Sequence, residues 1–99
     1  MAIIMSIICS QIGAKIRCYM DAIIEKKIGN NIRRLRERAN ITQEQLSARL
    51  QLGGCDITRS AVAKIEVGQR HIYPDEIILL KNILNATYEE IFNISTKND

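Results

Sequence analysis

The feature that most constrains this chain is its helix punctuation. Thr42-Gln43-Glu44-Gln45 and Thr87-Tyr88-Glu89-Glu90 both have the form of a capping box. In each, the threonine hydroxyl accepts the N–H of the fourth residue, whose side chain bonds back to the threonine N–H. Thr58 stands ready to cap a third helix, and Pro74 fits the first position of a fourth, with Asp75 and Glu76 favourable beside it. Asn40 and Gly68 fall where helices end, being residues that tolerate the left-handed backbone. No run of four or more residues alternates as a strand does, so the chain reads as all-α.

The apolar spacing fills in the helices. Asp21 starts a helix carrying Ile24, Ile28, Ile32 and Leu35 on one face and Arg33, Arg34 and Arg38 on the other. The Thr42 box opens a helix to Leu50 with Leu46 and Leu50 inward. Residues 51–57 form a loop broken by Gly53-Gly54. Thr58 then caps a helix from Arg59 to about Val67, with Val62 and Ile65 inward and Arg59, Ser60, Ala63 and Lys64 together on the other face. The fourth helix carries Ile77, Ile78, Leu80, Ile83 and Leu84 as expected core and stops near Asn85; a short fifth holds Ile91 and Phe92.

At 99 residues the chain is expected to hold one domain, over 21–94, preceded by an extension of unknown role (1–20) and followed by a polar tail (95–99). In the extension Ile4, Ile8, Ile12 and Ile16 recur every four residues, as on one face of a helix, and Met20 is an alternative start. No apolar run reaches the ~18–20 residues that span a bilayer, so no membrane partner is expected.

Several function classes are disfavoured. Phe92, Tyr19, Tyr73 and Tyr88 are the only aromatics, too few for a base-stacking sheet. Cys9, Cys18 and Cys55 contain no C-x-x-C, and His71 is the sole histidine, which leaves too few ligands for a zinc or iron–sulfur site. The same cysteine usage fits a reducing cytoplasm rather than a disulfide framework. Cys55 reads as an inert thiol, its pKa raised by adjacent Asp56. No phosphate-cradling glycine loop or nucleophile–base arrangement is evident, so neither an enzyme, a cofactor nor a small-molecule ligand is expected.

Charge points elsewhere. Residues 28–72 hold 8 basic and 4 acidic side chains, whereas 73–99 hold 2 basic and 5 acidic. A clustered basic segment is either a solvated surface or an electrostatic footprint for nucleic acid. Two short capped helices lie within it. The second offers an apolar side to its neighbours and a polar side outward, which a helix entering the major groove requires.

Residues 28–50, ending in the Thr42 helix, followed by Arg59-Ser-Ala-Val-Ala-Lys-Ile-Glu-Val-Gly-Gln-Arg70, resemble the Cro/C1-type (XRE) helix-turn-helix family, and the resemblance runs to Phe92. It implies a compact five-helix, lambda-repressor-like domain that binds double-stranded DNA, commonly as a dimeric transcriptional regulator. Position by position, it implies a phosphate contact for Gln43, groove-facing places for Thr58, Arg59, Ser60 and Lys64, and backbone-proximal places for Gln69 and Arg70. Arg36 and Glu66 match an ion pair joining the first and third helices. The sequence departs from the family pattern at Ser47, where alanine is usual, at Asn40, where glycine is common, and in the long connection between Leu50 and Thr58. That connection implies either a longer first helix of the pair or a bulging loop. The expected function is sequence-specific DNA binding as a homodimeric repressor or antitoxin-like regulator, with a protein-interaction module of the same fold as the alternative.

Overall fold

In the computed structural model, residues 22–94 are described; the expectations for the 1–20 extension, the Asp21 cap and the 95–99 tail lie outside them. The described residues form five helices and no strand: α1 (22–38), α2 (Gln43–Leu52), α3 (Arg59–Glu66), α4 (Pro74–Leu84) and α5 (Tyr88–Phe92). None of these helices is long and apolar enough to cross a membrane.

The caps sit where residue chemistry puts them. Thr42 Oγ1 accepts the Gln45 N–H at 3.0 Å, and Gln45 Oε1 accepts the Thr42 N–H at 2.9 Å. The same reciprocal pair joins Thr87 and Glu90, while Thr58 Oγ1 accepts the Ala61 N–H at 3.1 Å. Each such cap contributes about 1 kcal/mol. Asn40 and Asn85 take positive φ, at 60° and 51°, and end α1 and α4.

One core joins all five helices. Ile32, Leu46, Leu50, Ile57, Val62, Ile65, Leu80, Leu84 and Ile91 are each almost wholly buried. α1 comes so close to α3 at Gly29 that a Cβ there would run into the Ile65 carbonyl oxygen. Glycine is therefore required at that crossing, a constraint that helix-stripe reading does not detect. Ile78, expected in the core, is instead exposed, because it lies on the side of α4 opposite Leu80.

The long α2–α3 connection is resolved in favour of the longer helix. α2 runs two residues past Leu50, to Leu52, before Gly53 caps it and Gly54 turns the chain at φ 99°. The rest of the connection is pulled inward rather than bulging. Cys55 and Ile57 are buried, and the Cys55 N–H donates to the Leu50 carbonyl at 2.9 Å. Ser47 takes part directly: its buried hydroxyl donates to the Ile57 carbonyl at 2.6 Å, and Gln51 Nε2 reaches the same oxygen at 3.1 Å. The serine that replaces the usual alanine thus fastens the extra residues to α2.

Candidate nucleic-acid interface

α3 is clamped on one side and open on the other. Val62, Ile65 and Glu66 face inward and are buried. Thr58, Arg59, Ser60 and Lys64 are exposed, with Ala63 half-buried between them. Arg59 with Ala63, and Ser60 with Lys64, are four residues apart and so share one side of the helix. The side chains of Arg59 and Lys64 have no hydrogen-bond or ion-pair partner among the described residues. Both cations therefore stand in solvent, ready to meet an anion.

The N-terminus of α2 adjoins this side. Gln43, Arg59, Ser60 and Ala63 line one shallow cleft, and Arg59 also lines a larger one with Asn40, Thr42, Gln43 and Glu44. The structure thus brings Gln43, Arg59 and Ser60 together on one surface. The Glu44 carboxylate is part of the same surface and offsets some of its positive charge.

Beneath the surface a buried carboxylate ties three helices together. Arg36 Nε donates to Glu66 Oε2 at 2.6 Å and Arg36 Nη2 to Glu66 Oε1 at 3.2 Å, while Nη1 donates to the Ile41 carbonyl at 2.9 Å. The Glu66 bond holds the Arg36 guanidinium in its charged form, outweighing partial burial. Gln43 Nε2 donates to Glu66 Oε1 at 2.9 Å. That bond fixes the rotamer of the residue that opens α2 and leaves one amide N–H and the amide oxygen for other partners.

Gln69 and Arg70 follow α3. Gln69 is exposed. Arg70 is committed elsewhere: its Nη1 and Nη2 donate to the two oxygens of Glu76 at 3.0 and 3.1 Å, and Nη1 also reaches the His71 carbonyl at 3.0 Å. The guanidinium lies 5.9 Å from the Tyr73 ring centroid. This bidentate clamp raises the Arg70 pKa and orders the turn between α3 and α4. Glu76 is buried and also accepts the Tyr73 N–H at 3.0 Å. His71 is exposed and contacts Glu25 of α1.

Sequence reasoning did not find the Arg70–Glu76 clamp or the Gln43–Glu66 bond. In the sequence Glu76 reads only as an acid suited to a helix start, and no pattern within one helix reveals which distant cation it meets. The Cys55 thiol is pushed up first by burial and then by Asp75, whose Oδ2 lies 3.8 Å from Sγ, so the relevant acid is Asp75 rather than Asp56. No group of three or more His, Cys, Asp or Glu side chains among the described residues is placed to hold a metal ion.

A short capped helix packed behind a second, with its cationic side open, defines a helix-turn-helix domain. The helix-turn-helix family model matches residues 32–91, more than half of the chain, and the chain belongs to this family in its Cro/C1 type. No curated protein and no solved structure matches the chain.

Proposed function

We propose that this protein is a sequence-specific regulator of transcription that places α3 in the major groove of double-stranded DNA. The observation that carries the reading is the open side of α3, where Arg59, Ser60 and Lys64 are exposed while Val62 and Ile65 anchor the helix from behind. The major groove, about 12 Å wide, admits one helix. Arg59 is suited to a bidentate contact with guanine O6 and N7, worth ~1–3 kcal/mol of discrimination. Ser60 reads less selectively. Thr58 and Lys64 flank them, and Gln43 and Gln69 meet the phosphate backbone. Arg70 acts through the turn it braces against Glu76 rather than through a free guanidinium.

The protein acts as a cytoplasmic homodimer on two half-sites one helical turn apart, as a repressor or antitoxin-like regulator. Phosphate contacts supply most of the affinity and α3 the discrimination. The alternative is a protein-interaction module of the same fold, favoured if the side of α3 that carries Arg59 and Lys64 is covered; among the described residues nothing covers it, and the 1–20 extension lies outside them.

Gel-shift titration against a random duplex pool, followed by sequencing of the bound fraction, tests the proposal. An enriched motif, with affinity falling steeply as salt rises, supports it. A bound pool with no enrichment and a flat salt response overturns it.

A further inference from the structure

We infer that Lys26 of α1 is a phosphate contact for the duplex seated on α3, set beside Gln69 by the way α1 packs on the end of α3. The inference rests on the proposed reading of α3 and adds α1 to the surface that holds the duplex.

The turn that ends α3 fixes the position. The Gly68 N–H donates to the Ile65 carbonyl at 3.1 Å, and the Gln69 N–H donates to the Lys64 carbonyl at 2.8 Å. With Gly68 at φ 79°, these bonds form a Schellman motif, which locks Gln69 to the last turn of α3. α1 lies directly on that turn. A Cβ added at Gly68 would stand 2.7 Å from the Lys26 Cα and 2.9 Å from its N and Cβ. Only glycine permits so close an approach, and the approach places Lys26 next to Gln69 through backbone contact.

Lys26 also stands on the side of α1 that a duplex on α3 would reach. At about 100° per residue it is ~60° round the helix from Gly29, which touches α3. Arg34 is ~140° round from the same point. Lys26 is exposed, as are Lys64 and Gln69, and its side chain has no hydrogen-bond or ion-pair partner among the described residues. The carboxylates of this crossing are engaged: Glu25 contacts His71, and Glu66 is buried against Arg36. Two open ammonium groups with an exposed amide near them suit a phosphate strand. Such a contact adds affinity and register without reading bases. A lysine near the C-terminus of α3 also opposes the helix dipole, a purely structural role that acts on folding and not on the salt response of binding.

The test titrates the full chain, as wild type, Lys26→Gln, Lys26→Arg and Arg34→Gln, against a fluorescein-labelled mixed-sequence duplex of about 30 base pairs. Anisotropy is read at salt from roughly 50 to 200 mM. Lys26→Gln is expected to weaken binding about fivefold in mid-range and to lower the slope of log K against log salt by about 0.9 per bound protomer. Lys26→Arg and Arg34→Gln should keep the wild-type slope, and all three variants should melt like the wild type. Sites selected from a random pool by Lys26→Gln should give the wild-type motif. A wild type that binds steeply with salt while Lys26→Gln keeps the same slope overturns this contact and leaves the reading of α3 standing. The contact is equally overturned if Arg34→Gln lowers the slope as much as Lys26→Gln does, or if Lys26→Gln shifts the melting temperature and not the slope. A wild type that binds no duplex removes the reading of α3 and this contact with it.

Discussion

The amide of Gln43, at the first position of α2, donates to the same Glu66 carboxylate that pairs with Arg36. One buried oxygen, Glu66 Oε1, thereby links the helix that opens the candidate interface to the last turn of the helix proposed to read bases. The side chains of Arg36 and Glu66 are only 13% and 2% exposed, so this is an interior ion pair rather than a surface one. Removing one partner strands the other charge out of water.

Arg36→Ala is accordingly expected to destabilise the domain by about 3 kcal/mol. In a domain of this size that lowers the melting temperature by more than ~10 °C. Thermal unfolding followed by circular dichroism measures it, and a change within ~2 °C would show that the pair contributes little to folding.

Ser47→Ala tests how the long connection is held. The substitution leaves the buried Ile57 carbonyl with only Gln51 as a side-chain donor. The expected loss is about 1 kcal/mol, and Ser47→Ala/Gln51→Ala should lose more than the two single changes together. Urea unfolding of the four proteins closes the cycle, and strict additivity would contradict a shared acceptor.

Gly29→Ala tests the α1–α3 crossing. The new methyl meets the backbone carbonyl of Ile65, which cannot swing aside as a side chain could. A cost of about 2 kcal/mol or more is expected, despite the better helix propensity of alanine. A stabilised variant in denaturant titration would mean that the helices stand further apart.

Glu90 supplies a pH dependence. Its bonds from Arg38 and from the Thr87 N–H lower its pKa from 4.5 to about 2. A carboxylate whose pKa is depressed by folding stabilises the fold above its unfolded value and loses that contribution as pH falls through its folded value. Stability should therefore decline between about pH 4.5 and 2, and Glu90→Gln should flatten that part of the profile. Melting temperatures of both proteins across this range give the comparison; identical slopes would show that Glu90 is not the group responsible.

Much of the fold is legible in the residues because its punctuation is local. The Thr42, Thr58 and Thr87 caps, Pro74 and the left-handed Asn40 and Asn85 depend on atoms within a few positions of one another. The exposed placement of Arg59, Ser60 and Lys64 follows from helical period once Val62 and Ile65 are set inward. What sequence reading misses is nonlocal. The Gly29 approach, the Ser47–Ile57 bond and the Arg70–Glu76 clamp depend on how helices and turns meet, and residue spacing within one helix does not encode that. Arg70 shows the consequence for the site. A basic residue beside a proposed recognition helix reads as a phosphate contact, and residue spacing does not reveal that a buried acid six residues on also holds it.

Whether α3 reads bases through Arg59 is decided by selecting binding sites from the same random duplex pool with the wild type and with Arg59→Ala, alongside their melting curves. Arg59→Ala is expected to melt like the wild type and to keep the motif while losing the preference at a single guanine. An identical motif from both proteins, or an unfolded Arg59→Ala variant, would contradict it.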